Sequence, residues 1–129
     1  MSACDLSEKG LWADESRLRW QVYPYLKGYD YKNSISNGCF FNIGARLARY
    51  TGNATYAEIA TKAFEWTHAV GFIADNWDIY DGAHIGFNCT DINKVQFSYN
   101  MAVFIQGAAN MYNFVSLFMQ LYILCQRND

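Results

Sequence analysis

The 129 residues contain one proline, two histidines and no cluster of basic side chains. The ten Lys and Arg are spread from Lys9 to Arg127, and the formal charge is −2. Nucleic acid is therefore not an expected partner, because phosphates call for a concentrated positive footprint. The first eleven residues carry Asp5, Glu8 and Lys9 and lack an apolar run, so they form no signal peptide, and the chain as written would stay in the cytosol. The four cysteines, Cys4, Cys39, Cys89 and Cys125, are too widely spaced for a zinc-ligand pattern, and neither a metal nor a cofactor is expected. His84 by itself identifies no site, and His68 falls inside a helical pattern, where a packed or solvated role is expected. The apolar stretch from Phe114 to Cys125 is too short to span a bilayer.

Aromatic residues are plentiful at 18%, with ten Tyr, nine Phe and four Trp. Much of this is core, but Tyr and Trp beside Asn and Asp also suit carbohydrate. Two triplets, Asn53-Ala54-Thr55 and Asn88-Cys89-Thr90, are N-glycosylation acceptors that would fit a secreted origin, in conflict with the absent leader. The stretch Gly28 to Phe41 organises the chain. Its first half holds Asp30, Lys32, Asn33, Ser34, Ser36 and Asn37, more hydrogen-bonding capacity than can be buried without partners, and reads as a polar loop. Tyr29 and Tyr31 add flat apolar surfaces, so a sugar would suit it.

From Phe40 the apolar residues recur as Phe40, Ile43, Leu47 and Tyr50, which predicts a helix from about Ser36 to Tyr50 with Arg46 and Arg49 outside and Gly52 as its left-handed stop. Thr55-Tyr56-Ala57-Glu58 reads as a capping box that starts a second helix. There Tyr56, Ile59, Ala60, Ala63, Trp66 and Val70 share one face, Glu58, Lys62 and Glu65 the other, and Gly71 closes it. Two helices this close in sequence form an antiparallel hairpin.

From Phe72 to Asn93 the helical period fails. Asn76 to His84 reads as a short strand or a loop ending in an Asp81-Gly82 turn, with Asp81 placed to orient a hydroxyl or a cation. A third helix starts near Ser98 on a stripe of Met101, Ile105, Ala108 and Tyr112, made slim by Gly107, Ala108 and Ala109. Tyr99 and Asn100 fall in its first turn, where free N–H groups favour a polar ligand. Before the first helix, Leu18 to Tyr23 reads as a short extended run stopped by Pro24, with Trp20 either core or projecting into a site.

Taken together, Leu18-Arg19-Trp20-Gln21, the loop Gly28 to Phe41, Ala45 to Asn53, Tyr80-Asp81-Gly82-Ala83-His84-Ile85, Asn88-Cys89-Thr90, Phe97-Ser98-Tyr99-Asn100 and Gly107 to Asn113 resemble the C-terminal part of glycoside hydrolase family 76. The likeness is to its fungal branch, the cell-wall mannan endo-1,6-alpha-mannosidases. The resemblance implies an all-α fold, part of an (α/α)6 toroid of helical hairpins that is incomplete here. It implies an α-1,6-linked mannose backbone as substrate, in fungal cell-wall biogenesis, with hydrolysis or transfer of glycolipid-anchored proteins onto wall glucan. The parent enzyme would sit on the extracellular face of the plasma membrane or in the wall, through a lipid anchor not present here. The positions matching the sugar groove are Trp20, Asp30, Lys32, Asn33, Asn37, Asp81, Tyr99 and Asn100.

The departures from the family are equally informative. Its catalytic carboxylates are two consecutive aspartates, and no Asp-Asp pair occurs in this chain, so the catalytic residues are unknown and the chain alone is expected to be inactive. Where the family has a cysteine and glycines before Leu18, this chain has Asp14, Glu15, Ser16 and Arg17, which leaves the pairing of Cys39 and Cys89 open. The expected organisation is an irregular 1–17, a partial family 76 domain at 18–113, and an unrelated apolar tail at 114–129. In-frame GTAAGT, a common intron start, encodes the Val-Ser read at Val115-Ser116, so the tail reads as translated intron. Two other readings compete with an enzyme fragment. One is a non-catalytic mannan-binding module; the other, a helical-repeat scaffold, leaves the polar, aromatic segments unexplained.

Overall fold

Small and apolar residues at helical spacing fold 34–70 into two helices joined by one tight turn. The computed structural model describes residues 30–126, and side chains for 30–117. Helix α1 spans Ser34–Thr51, α2 spans Ala54–Val70 and α3 spans Ser98–Gln126. Strands β1 (Tyr31–Asn33), β2 (Tyr80–His84) and β3 (Asn93–Gln96) form an antiparallel sheet in that order. The chain divides into two compact units, a helical one with 35–65 and the segment from Ser98, and a sheet unit with the segment ending at Ser34 and 66–97. The all-α expectation therefore holds for most of the described residues, with a small sheet added. No helix among the described residues is long and apolar enough to cross a membrane.

The stop between α1 and α2 is the expected glycine. Gly52 sits at φ +70, where a side chain would be strained, and its N–H donates to Ala48 O at 2.9 Å. The start of α2 differs from the expected capping box. Asn53 caps it, its Oδ1 accepting from Thr55 N–H at 2.9 Å, so Thr55 lies exposed inside the first turn. Asn is the stronger N-cap, and it precedes Thr55 at the position the turn makes available.

In the helical unit, α1 and α2 run antiparallel. Phe41 packs on Phe64 with ring centres 5.3 Å apart, the backbone at Gly44 lies against Ala60, and Ala48 and Ala57 share a cluster with Phe114. Phe104 of α3 completes the aromatic group, 5.9 Å from Phe41 and 6.3 Å from Phe64. The face of α1 that does this is Phe41, Ala45 and Ala48, whereas Ile43, Leu47 and Tyr50 of the expected stripe are exposed. The same exchange occurs in α3. Asn100, Phe104, Asn110 and Phe114 are buried, while Ile105 and Tyr112 of the expected stripe are out. Each helix carries two apolar or small-residue stripes, and periodicity alone does not say which one meets a neighbour.

In the sheet unit, the expected polar loop is a strand that passes straight into α1. Tyr31 pairs with His84, Lys32 with Ala83 and Asn33 with Gly82. Asp81-Gly82 is mid-strand and not a turn. A Cβ on Gly82 would stand 2.1 Å from Lys32 O, so glycine is required by the neighbouring backbone. Below the sheet, Val70, Phe72, Ala83 and Cys89 form the core, with Trp66 edge-on to Phe72. Gly71, at φ +91, ends α2 as expected. Cys89 is disulfide-bonded and Cys39 is free and exposed.

Candidate functional site

The three strands gather the site residues by register and by one irregularity. Between Tyr80 and Gly82 there is one residue, Asp81, while their partners Gln96 and Asn93 are separated by Lys94 and Val95. Such a bulge re-aims nearby side chains. Tyr31 donates its phenol hydrogen to Asp81 Oδ2 at 2.8 Å, and Asn93 Nδ2 approaches the same oxygen at 3.5 Å. Among the described residues both contacts fall on Oδ2, and neither uses Oδ1. Burial, and then the hydrogen bond to the Asp81 carboxylate, push the Tyr31 hydroxyl up to about 12. At neutral pH it is therefore a fixed donor.

Beside this pair stands a second one. Asp91 accepts from His84 N–H at 3.0 Å and faces His84 Nδ1 at 2.6 Å. A carboxylate can only accept, so Nδ1 carries the hydrogen, and Nε2 is the ring nitrogen left for a ligand. These hydrogen bonds from the His84 ring and backbone hold the Asp91 carboxyl below its ordinary value. The Tyr31 and His84 rings meet edge-on with centres 4.9 Å apart. Lys32 lies with its ammonium 5.4 Å from the Trp66 ring centre, and Lys94 lies 5.7 Å from that of Tyr80.

Of the residues expected in a sugar groove, the sheet unit holds Asp30, Lys32, Asn33 and Asp81. Asp30, in the turn before β1, accepts from Ile85 N–H through its backbone oxygen at 2.8 Å. Asn37, Tyr99 and Asn100 belong to the helical unit, and Trp20 lies outside the described residues. Tyr99 is exposed. Asn100 is wholly buried, and both polar atoms of its side chain lack a hydrogen-bond partner. Asn53 and Asn88, the candidate glycosylation positions, are both exposed. Among the described residues no group of three or more His, Cys, Asp or Glu could hold a metal.

Sequence reasoning placed Asp81 beside Tyr80 and His84, its neighbours in the chain. It missed Tyr31 and Asn93 as the groups that fix the Asp81 carboxylate, and Asp91 as the one that fixes the imidazole. The one available signal was Tyr31 itself, read only as a flat surface.

The mannan endo-1,6-alpha-mannosidase DFG5 of Saccharomyces cerevisiae is 49% identical over 98 residues, 74% of this chain and 21% of that protein. The Candida albicans protein of the same name is 52% identical over 102 residues, 75% and 23% respectively. The crystal structure of Dfg5 from Chaetomium thermophilum in complex with glucosamine superposes with a TM-score of 0.70 at 57% identity, covering 76% of this chain and 24% of that one. The chain thus spans less than a quarter of the length of these relatives. The family model described as glycosyl hydrolase family 76 matches residues 9–116, and the chain belongs to that family.

Proposed function

We propose that this chain supplies part of the sugar-contacting surface of a mannan endo-1,6-alpha-mannosidase that acts on α-1,6-linked mannose backbones in the fungal cell wall. The observation that carries the reading is the Asp81 carboxylate, held by Tyr31 on one of its two oxygens. A carboxylate held by an aromatic hydroxyl matches a ligand with hydroxyls on its rim and C–H groups on its faces. The names of the relatives support the substrate, and the glucosamine complex of one of them supports binding of a single hexose unit. The consecutive aspartates that the family uses for glycosidic cleavage are not among these residues, so the role assigned to this chain is binding and not turnover. Asp30, Lys32 and Asn33 belong to the same sheet unit as Asp81 and to the proposed contact surface; Trp20, Asn37 and Tyr99 remain further proposed contacts, whereas Asn100, wholly buried, offers a sugar no accessible atom. Placement at the cell surface, a lipid anchor in the whole protein and N-glycans at Asn53 and Asn88 are parts of the same proposal.

Calorimetric or NMR titration with α-1,6-linked mannotriose tests it. Losing a hydrogen bond to an ionised group costs about 1.5–3 kcal/mol, so Asp81→Asn is expected to weaken binding roughly tenfold or more. Undiminished affinity in Asp81→Asn, or affinity equal to that for a gluco-configured trisaccharide, would overturn the reading. Hydrolysis of linear α-1,6-mannan by this chain, lost in Asp81→Asn, would move catalysis onto Asp81.

A further inference from the structure

The loop from His84 to Asp91 is braced along its whole length. Asn88 N–H donates to Ile85 O at 2.9 Å, Cys89 N–H to His84 O at 3.2 Å, and Thr90 gives both its N–H, at 3.1 Å, and its hydroxyl, at 2.7 Å, to Phe87 O. Asp91 closes the loop on both the backbone and the ring of His84. Asn88 and Cys89 are held at φ 53 and 57, a left-handed conformation that side chains resist, and Cys89 is disulfide-bonded. Backbone strain of this kind persists only where surrounding contacts impose it.

What this rigid loop presents is an uncovered ring. Phe87 is 63% exposed and stands perpendicular to His84, with centres 6.3 Å apart. His84 in turn meets Tyr31, whose hydroxyl is on Asp81. Carboxylate, phenol, imidazole and phenyl thus form one unbroken series of contacts. Ile85, 45% exposed, is the loop's other uncovered large apolar side chain, and the flat Phe87 ring adjoins the His84 imidazole, whose contacts lead through Tyr31 to the Asp81 carboxylate, so an apolar face and polar groups lie along one series of contacts, as a sugar requires.

We propose that Phe87 and His84 make a second saccharide contact, for a sugar unit of the same chain other than the one at Asp81. Phe87 takes the C–H face of a pyranose, His84 Nε2 takes one of its hydroxyls, and Asp91 is the positioning residue that fixes the imidazole. The proposal rests on Asp81 as the first contact, and the test separates the two. Affinities of the full chain for methyl α-mannoside and for α-1,6-linked mannotetraose are measured by NMR titration in wild type, Phe87→Ala, Phe87→Trp and Asp81→Asn. Phe87→Ala is expected to weaken the tetrasaccharide roughly fivefold and to leave the monosaccharide within about twofold, Phe87→Trp to restore it, and Asp81→Asn to weaken both. Unchanged tetrasaccharide affinity in Phe87→Ala, with Asp81→Asn still weakening both ligands, overturns the second contact and leaves the first standing. A wild-type chain that binds neither sugar overturns both.

Discussion

Tyr31 keeps its proton far into the alkaline range because burial disfavours a phenolate and, after that, because the phenolate would stand against the Asp81 carboxylate. The sign of the resulting pH dependence follows. Its folded value of about 12 exceeds the ordinary 10.0, so its contribution to stability is complete below about pH 10 and is lost as pH rises from there through about 12. In the difference between wild type and Tyr31→Phe, phenolate absorption is expected to develop about two pH units above an ordinary tyrosine, and to fall back toward 10 in Asp81→Asn. A Tyr31 that titrates with the ordinary value in wild type would remove the donor role assigned to it. The pairing also shows how far the sequence could be read. Asp81 stood out through its immediate neighbours, but its donors lie 50 residues earlier and 12 later. Only strand register brings them together, and a loop reading of Gly28 to Phe41 removed that register from view.

At the scale of elements, the hairpin and the limits of α2 were legible because helical period, a glycine stop and an N-cap are local signals. The cap moved from Thr55 to Asn53, and the buried faces of α1 and α3 were exchanged, because choosing between two stripes needs the neighbour's identity. The choice is set at Gly107. A Cβ there would stand 2.4 Å from Phe41 Cε1, so glycine lets α3 lie against the ring. Gly107→Ala is expected to cost about 1–3 kcal/mol through overpacking, against about 1 kcal/mol for Gly52→Ala, where only the left-handed backbone resists a side chain. Helical circular dichroism followed against urea should therefore rank Gly107→Ala below Gly52→Ala and both below wild type. The reverse order would mean that Phe41 moves aside freely.

For the molecule as a whole, the stripes left outside are the feature to explain. Ile43 is 58% and Tyr50 72% exposed on α1, and Ile105 is 60% and Tyr112 74% exposed on α3. In a toroid of hairpins such faces meet further helices, and the relatives are more than four times as long as the stretch matched here. Taken alone, the chain is expected to bind a hydrophobic dye and to lose its helix over a broad temperature range, with dye binding reduced in a Leu47→Lys, Ile105→Glu double variant. A sharp transition without dye binding would show that these faces need no cover. The two cysteines whose side chains are described impose a different demand. Cys89 is oxidised within the His84–Asp91 loop while Cys39 is a free thiol on the surface of α1. Preparing the chain in strong reductant breaks that disulfide, and preparing it under harsh oxidation couples molecules through α1, so a mild thiol–disulfide buffer that spares one sulfur and bridges the other is the condition under which the sugar measurements are meaningful.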